Sequence, residues 1–221
     1  MMIKQNLQQI KETIPENVTL VAVSKTKPVE MIQEAYDCGQ RIFGENRAQE
    51  LASKYEQLPE DIEWHMIGHL QRNKVKYISP FVALIHGVDS YRLLKEINKQ
   101  ARKNARNQPV LLQFHIAQES SKFGFDMNEI NDMFNDPDFK NLENIEIQGV
   151  MGMATFTSDQ RQVREEFHSL KKYFDTLKET HFNADPNFEI ISMGMSGDYP
   201  IAIEQGSNMI RVGSSIFGER D

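Results

Sequence analysis

One lysine follows an apolar run and could be placed for chemistry. Residues 18–28, VTLVAVSKTKP, are rich in β-branched side chains up to Lys25, and Pro28 then begins a helical pattern. A lysine at the end of a buried strand is most simply a solvated charge, because strand ends usually meet water. If the amine is desolvated, its pKa falls and its neutral form can condense with an aldehyde. Both interpretations of Lys25 stay open at this point.

Two later loops combine glycine and serine and could bind an anion. They are MGMSGD, residues 193–198, and RVGSS, residues 211–215. Glycines let backbone N–H groups approach a phosphate, although the same pattern also suits ordinary tight turns. A phosphate site together with a Schiff-base lysine is the combination that pyridoxal phosphate (PLP) needs. Arg211 would then donate to the pyridine nitrogen. Since an arginine stays protonated, that nitrogen would remain neutral and the cofactor would be a weak electron sink.

The elements that must position these residues alternate between strand and helix. Apolar runs predict eight strands, over residues 18–25, 41–46, 62–69, 83–89, 110–116, 145–154, 188–193 and 209–217. A helical pattern precedes the first strand, and another helical pattern lies between each strand and the next. This alternation predicts a parallel sheet, and eight strands predict an α/β fold of the closed (β/α)₈ TIM-barrel type with an extra N-terminal helix. We expect one domain over residues 1–221. A doubly wound open sheet is the alternative, but its dinucleotide-binding fingerprint is absent.

Composition narrows the class of protein. The 221 residues are 39% hydrophobic and carry a net charge of −7, which argues against a nucleic-acid or anionic-membrane surface. Cys38 is the single cysteine, so no internal disulfide can form. No apolar run approaches the roughly 20 residues of a membrane span, and the N-terminal segment lacks the apolar core of a signal peptide. We expect a cytoplasmic protein.

Six motifs spread along the chain carry a resemblance to a known family. They are VAVSKTKP (21–28), FGENRAQE (43–50), WHMIGHLQRNK (64–74), SSKFGF (120–125), SMGMSGD (192–198) and IRVGSSIFGER (210–220). By these motifs the chain is identified as a member of the YggS/PROSC family of pyridoxal phosphate homeostasis proteins. That family resembles the barrel domain of alanine racemase without its additional β-domain. The resemblance implies a monomer that carries PLP in vitamin B6 homeostasis, with PLP-dependent apo-enzymes as partners and no established turnover.

The resemblance also implies roles for individual residues. Lys25 would carry PLP as a Schiff base, with Asn46 near the ring and Arg211 toward the pyridine nitrogen. The phosphate would be bound by Ser196, Gly213 and Ser214. His69 and Met195, at predicted strand ends, are further candidates for the surroundings of the cofactor. The chain departs from the family pattern in FHIAQE, residues 114–119, and at Asn208. We expect these departures to alter a rim surface or the phosphate neighbourhood rather than cofactor binding.

Competing interpretations remain for the function and for several side chains. An amino-acid racemase would need a second acid/base group opposite Lys25, and the nearest tyrosine, Tyr199, is expected on the rim. A binding module that has lost PLP is a third possibility. His65 and His69 share the spacing of a metal pair, but no further ligand completes a set, so we expect no metal. Glu45 could orient Lys25 or form a structural salt bridge. Lys122 and Arg220 could contact partners or be solvated charges.

Overall fold

The computed structural model, which describes residues 2–118 and 123–219, contains a closed eight-stranded barrel. Every strand is parallel to its neighbour, each pairs with the next in chain order, and β8 closes on β1. The strands are β1 (Thr19–Val23), β2 (Ile42–Glu45), β3 (Glu63–Met66), β4 (Leu84–Val88), β5 (Gln108–Gln113), β6 (Ile145–Met151), β7 (Ile190–Ser192) and β8 (Met209–Val212). The (β/α)₈ prediction is confirmed.

Helices cover the outside of the barrel. They are α1 (Met2–Thr13), α2 (Val29–Asp37), α3 (Ala48–Tyr55), α4 (Val75–Ile78), α5 (Tyr91–Lys103), α6 (Met127–Asn135), α7 (Gln160–Thr180), α8 (Tyr199–Glu204) and α9 (Ser214–Phe217). Single 3₁₀ turns lie at Arg72–Lys74 and Phe139–Asn141. The first helix, α1, is the predicted extra helix. It buries Ile3, Leu7 and Ile10, which share one helical face.

Polar residues at helix starts explain why several predicted boundaries are accurate. The Ser90 hydroxyl accepts a hydrogen bond from the N–H of Leu93 and begins α5. Asp126 and Glu129 form a reciprocal capping box at the start of α6, and Asp159 caps α7. Such caps satisfy N–H groups that have no partner within the helix, so the sequence signals these starts directly.

The predicted last strand is too long. The apolar run at 209–217 was assigned entirely to a strand, but β8 ends at Val212 and the short helix α9 follows. The pattern is ambiguous because Ile216 and Phe217 are both buried, as a strand core would be. In the structure they are buried by a helical turn, whose N–H groups at Ile216 and Phe217 both donate to the carbonyl of Gly213.

The barrel separates two apolar layers. The larger layer lies between the strands and the helices. The smaller one fills the barrel interior and consists of Val21, Val23, Ile67, Leu84, Leu111, Met151 and Met209. Because side chains alternate between the two faces of a strand, the inward residues of β1 are Val21 and Val23. The same alternation, continued past the strand, brings Lys25 to the inward side at the carboxyl end of the barrel, where barrels place their sites.

Candidate functional site

Lys25 lies two residues beyond β1 and is half-buried. Val23 pairs with Gly44 of β2, so Asn46, two residues beyond Gly44, comes level with Lys25 at the mouth of the barrel. Asn46 is also half-buried. It packs closely on the next strand end: a Cβ at Gly68 would lie 2.6 Å from the carbonyl oxygen of Asn46, so only glycine fits there. Lys25 and Asn46 thus come level on neighbouring strand ends.

A buried ionic group, which we call the Glu45–Lys54 cluster, lies against the backbone on either side of Lys25. It comprises Ser24, Glu45, Glu50 and Lys54. The Lys54 ammonium donates to Glu45 Oε1 at 2.8 Å, to Glu50 Oε1 at 2.7 Å and to the Ser24 carbonyl at 2.8 Å. The Ser24 hydroxyl donates to Glu45 Oε1 at 2.6 Å. All three ammonium protons therefore have acceptors, and one of those acceptors is the backbone immediately before Lys25.

The residue after Lys25 has an unusual backbone conformation. Thr26 has φ +64°, which is rare for a β-branched residue. Its N–H donates to Glu50 Oε1 at 2.6 Å. The same carboxylate oxygen also accepts from Lys54, so Glu50 links the turn at Thr26 to helix α3. The Glu45–Lys54 cluster therefore fixes the backbone at Ser24 and at Thr26, directly before and after the lysine.

The pKa values of the two carboxylates of this cluster shift in opposite directions. Burial raises the pKa of Glu45, although hydrogen bonds from Lys54 and Ser24 oppose the rise. Glu45 Oε2 is buried and has no hydrogen-bond partner among the described residues. Burial alone would also raise the pKa of Glu50, but hydrogen bonds from Lys54 and from the Thr26 N–H lower it. Of the two interpretations of Glu45, the structure shows the salt bridge, with Lys54.

Arg211 lies in β8, adjacent to β1, and is 3% exposed. Its Nη1 donates to the Ser192 hydroxyl at 2.6 Å and its Nη2 donates to the Gly152 carbonyl at 3.1 Å. Burial lowers the pKa of Arg211 to about 10, and the charge of Asp198 opposes this effect. The guanidinium therefore remains protonated at neutral pH. Both of these hydrogen-bond partners are neutral groups.

The two glycine- and serine-containing loops meet. The N–H of Gly213 donates to the hydroxyl of Ser196 at 3.2 Å. A Cβ at Gly213 would lie 3.2 Å from both Cβ and the carbonyl oxygen of Val23, so the glycine allows β8 to approach the end of the lysine-bearing strand. Ser214, which begins α9, is exposed. Ser196, Gly213 and Ser214 therefore lie together beside the end of β1.

The loop that contains Met195 and Ser196 is also a tight turn. The Met195 N–H donates to Asp198 Oδ1 at 2.6 Å, and the Asp198 N–H donates back to the Met195 carbonyl at 3.1 Å. The turn presents Ser196 to Gly213. The turn interpretation of MGMSGD is thus correct, and it is compatible with the phosphate interpretation. Met195 is half-buried next to this loop.

His69 lies at the mouth and is tied to a neighbouring strand end. Its Nδ1 is 2.7 Å from Asp89 Oδ2, and its ring stacks on Phe123 with centroids 4.0 Å apart. The side chain is 42% exposed. His65, by contrast, is buried inside the barrel and bonds to His86. In the part of the chain that the structure describes, no three His, Cys, Asp or Glu side chains come together in a group that could bind a metal ion.

Other predicted positions lie elsewhere or outside the described residues. Asn208 precedes β8, at the end of the barrel opposite the mouth, where its side chain bonds to Ile191 and Glu189. The expectation that it alters a rim or the phosphate neighbourhood is therefore wrong: its amide joins β7 to β8. Tyr199 places its hydroxyl 3.2 Å from Thr13 Oγ1 of α1. Glu119, Lys122 and Arg220 lie outside the described residues, as does the first half of the SSKFGF motif, residues 120–122.

Sequence reasoning missed the partners of Arg211. Ser192 is fully buried in β7, and its hydroxyl lies 3.0 Å from His86 Nδ1, while His86 Nε2 lies 3.0 Å from His65 Nδ1. The signal was available, since both histidines occupy inward positions of adjacent strands in the alternating pattern. Spacing along one strand had drawn attention to His65 and His69 instead. The partner of His65 is on the next strand, two residues beyond Leu84, the residue paired with His65.

The fold defines the class of protein. Solved structures of alanine racemase share it at low identity: the enzyme from Bartonella henselae has a TM-score of 0.74 and 15% identity, over 99% of this chain and 58% of that chain. The family model for the N-terminal domain of alanine racemase matches residues 2–221. No helix in residues 2–118 and 123–219 has the length and apolar character required to cross a bilayer.

Relatives of higher identity specify the family. A pyridoxal phosphate homeostasis protein from Aquifex aeolicus is 40% identical, over 91% of this chain and 86% of that protein. One from Escherichia coli K12 is 34% identical, over 99% and 97%. The structure of PipY from Synechococcus elongatus with PLP bound has a TM-score of 0.86 and 32% identity, over 98% of this chain and all of that one. The chain belongs to the alanine racemase N-terminal domain family and, within it, to the pyridoxal phosphate homeostasis proteins.

Proposed function

We propose that this protein binds PLP at Lys25 and acts in vitamin B6 homeostasis as a carrier of the cofactor rather than as an enzyme. The observation that carries the proposal is the placement of a half-buried lysine and a buried arginine on adjacent strands of one barrel, with the serine and glycine loops beside them. PLP is bound in the structure of the relative PipY. Several relatives are pyridoxal phosphate homeostasis proteins.

The residues around Arg211 fit the cofactor. Its guanidinium is buried and charged, while its side-chain hydrogen bonds go to the neutral oxygens of Ser192 and Gly152. Burying a cation whose hydrogen-bond partners are neutral is costly, which is the behaviour expected of a group retained to bind a ligand. A pyridine nitrogen is an acceptor and suits such a donor. Because Arg211 does not give up its proton near neutral pH, it would keep that nitrogen unprotonated.

Each remaining residue has a distinct role in the proposal. Lys25 would hold PLP covalently through its amine, which can condense with the aldehyde group of the cofactor. Ser196, Gly213 and Ser214 would bind the phosphate through hydroxyl and N–H donors. Asn46, level with Lys25, would contact the ring. His69 and Met195 would border the cofactor. When bound, PLP supplies an electron-withdrawing ring, and Arg211 would keep that effect weak.

The carrier role is supported by the placement of Tyr199. A racemase needs a second acid/base group on the opposite face of the cofactor from the lysine. Tyr199, the tyrosine closest to the phosphate loop in sequence, bonds instead to Thr13 of the N-terminal helix. We therefore propose that PLP is held and released to PLP-dependent apo-enzymes. The proposal includes a cytoplasmic location and a monomeric, single-domain chain.

The test is an absorption spectrum of purified protein with added PLP, for the wild type and for Lys25→Ala. The wild type should show the band of a protein-bound imine, and Lys25→Ala should not. Lys27→Ala is the matched control, because its ammonium donates to the carbonyl of Glu219 and lies two residues away. Reduction with borohydride and peptide mapping should place the adduct on Lys25. An imine band that persists in Lys25→Ala would show that a different lysine is used.

A second measurement separates a carrier from an enzyme. Alanine deuterated at the α-carbon is incubated with PLP-loaded protein, and loss of deuterium is followed over time. A carrier should give no sustained exchange. Multiple turnovers that vanish in Lys25→Ala would overturn the carrier role and favour a racemase-like activity.

A further inference from the structure

Four buried polar side chains form a continuous row through the barrel interior, which we call the Arg211 row. Arg211 Nη1 is 2.6 Å from Ser192 Oγ, that oxygen is 3.0 Å from His86 Nδ1, and His86 Nε2 is 3.0 Å from His65 Nδ1. The four residues come from β8, β7, β4 and β3. None is more than 4% exposed. The row thus connects the two sides of the barrel beneath the candidate cofactor site.

The donor and acceptor capacities of the four side chains determine which group donates each hydrogen bond of the row. An arginine can only donate, so the Ser192 oxygen accepts from Arg211. Among the described residues, the remaining partner of the Ser192 hydroxyl is His86 Nδ1, so its proton belongs there. His86 must then carry its own proton on Nε2 and donate to His65 Nδ1. Each group from Ser192 onward donates to the next, away from Arg211.

Both histidines are neutral in this arrangement. Burial lowers the pKa of His65 to about 3. Burial also lowers the pKa of His86 well below its usual value, and the neighbouring His65 and Arg211 charges add to this effect. A proton on His86 Nδ1 would compete with the Ser192 hydroxyl for the space between them. The histidines therefore keep the serine hydroxyl oriented as an acceptor toward Arg211.

This arrangement constrains the arginine in two ways. Nη1 and Nη2 are fixed by Ser192 and by the Gly152 carbonyl, which sets the plane of the guanidinium. The Ser192 oxygen is neutral, so it does not offset the positive charge of Arg211 as a directly bonded carboxylate would; Asp198 acts on Arg211 through its charge. A hydroxyl that itself donates to a histidine is a stronger acceptor than one that does not.

We propose that Ser192 is a positioning residue for Arg211, and that His86 and His65 act through Ser192 to fix the orientation of the guanidinium that faces the PLP ring. This inference rests on the proposed function, because it assigns the row to the same site. It adds three residues to the site, all from the barrel interior and none at its mouth.

The first test uses Ser192→Ala, with Ser192→Thr to restore the hydroxyl. PLP affinity and the pH dependence of the bound-cofactor spectrum are measured in each. Ser192→Ala should bind PLP about tenfold more weakly, the effect of losing one good hydrogen bond, and its spectrum should titrate at a different pH. Ser192→Thr should return both values toward the wild type. Ser79→Ala is the matched control: this buried serine follows α4, outside the barrel, and its hydroxyl accepts from the Asn104 amide at 3.2 Å.

The second test needs neither a variant nor PLP. Nitrogen-15 NMR of the apo wild type should show His65 and His86 neutral, both protonated at Nε2, from pH 7.5 down to about pH 5. A proton on His86 Nδ1 would overturn the proposed direction of the row. Wild-type PLP affinity and spectral titration in Ser192→Ala would overturn the positioning role. Failure of the wild type to bind PLP at Lys25 would instead overturn the proposed function.

Discussion

Two buried polar groups flank the candidate site, and they differ in how charge is balanced. The Glu45–Lys54 cluster lies between the sheet and helix α3 and combines one ammonium with two carboxylates. The Arg211 row lies inside the barrel and combines one guanidinium with a hydroxyl and two neutral imidazoles. The first bonds to the backbone around Lys25, whereas the second bonds only to side chains and to one carbonyl beyond β6.

The difference indicates a division of roles. An ammonium paired with carboxylates, as in the cluster, stabilises a backbone conformation and leaves no positive charge for a ligand. A cation with neutral partners, as in the row, keeps its charge available to a ligand. We therefore expect changes in the cluster to act mainly on stability and changes in the row to act mainly on PLP. Four experiments test this distinction, in order of decreasing expected change in the free energy of unfolding.

The largest loss in the free energy of unfolding is expected for Lys54→Met. Lys54 is 6% exposed, and its removal leaves the fully buried Glu45 without its cation. Breaking a buried ion pair in this way costs about 3–5 kcal/mol. Urea denaturation of the apo protein measures the loss. The midpoint should shift strongly to lower urea with an unchanged slope.

Two variants calibrate this result. Arg211→Met removes the cation of the row, but the two groups that lose a hydrogen bond, the Ser192 hydroxyl and the Gly152 carbonyl, are neutral, so its cost should be smaller, about 1–3 kcal/mol. Lys171→Met breaks a half-exposed pair with Asp175 and should cost less than about 1 kcal/mol. If Arg211→Met were as destabilising as Lys54→Met, the contrast in charge balance between the two regions would be wrong.

The second experiment follows stability against pH through the histidines of the row. The unfolded chain takes up protons near pH 6.5, whereas the pKa of folded His65 is about 3. Neutral His65 therefore makes its full contribution to the free energy of unfolding above about pH 6.5. That contribution is lost as the pH falls toward 3. At pH 5 the loss is about 2 kcal/mol for a histidine that stays neutral in the folded state. The raised pKa of Glu45 acts in the opposite direction, since the folded state then binds a proton more readily.

His65→Gln isolates this contribution. Between pH 7.5 and 5, the variant should lose about 2 kcal/mol less free energy of unfolding than the wild type. His168→Gln, at an exposed position of α7, should lose as much as the wild type does. An equally steep loss in His65→Gln and in the wild type would show that His65 is not kept neutral by burial.

The fold was predictable because each of its signals is local. Eight apolar runs alternating with capped amphipathic helices are enough to predict a barrel, and the caps at Ser90 and Asp126 are visible in the sequence. The last strand was overextended because Ile216 and Phe217 are buried in either conformation. Sequence reasoning also placed Lys25 at the barrel mouth, since it ends the first predicted strand and the carboxyl ends of barrel strands meet there.

The two polar regions were not predictable in the same way. Lys54 and Glu45 are nine residues apart, on a helix and on the preceding strand, and their pairing depends on how α3 packs on the sheet. Ser192 and His86 are 106 residues apart and meet only because the barrel closes. Such contacts follow from closure and strand register, which no local pattern specifies. Even so, once a barrel is predicted, inward positions on neighbouring strands are the place to look for them.

The third experiment is Glu50→Gln, which removes a charge from the cluster but keeps an amide oxygen that can accept the Thr26 N–H. Hydrogen bonds to charged groups are stronger than those to neutral ones, so we expect a loss of about 1 kcal/mol in the free energy of unfolding. PLP affinity should change less than it does in Ser192→Ala. A greater loss of PLP affinity in Glu50→Gln than in Ser192→Ala would place the cluster, and not the row, in control of the cofactor.

The smallest change in the free energy of unfolding is expected at Thr26, where the cluster stabilises a strained backbone. A positive φ is unfavourable for a β-branched residue and is better tolerated by asparagine, so Thr26→Asn should raise the free energy of unfolding by about 0.5 kcal/mol. The side chain is exposed, so little packing is lost, and the Thr26 N–H can still donate to Glu50. Ala105→Asn, at another position with positive φ, is the comparison and should give a similar gain far from Lys25. If Ala105→Asn stabilises the protein but Thr26→Asn destabilises it, the Thr26 side chain contributes to the turn beyond its backbone. The turn at Lys25 would then depend on more than the Glu45–Lys54 cluster.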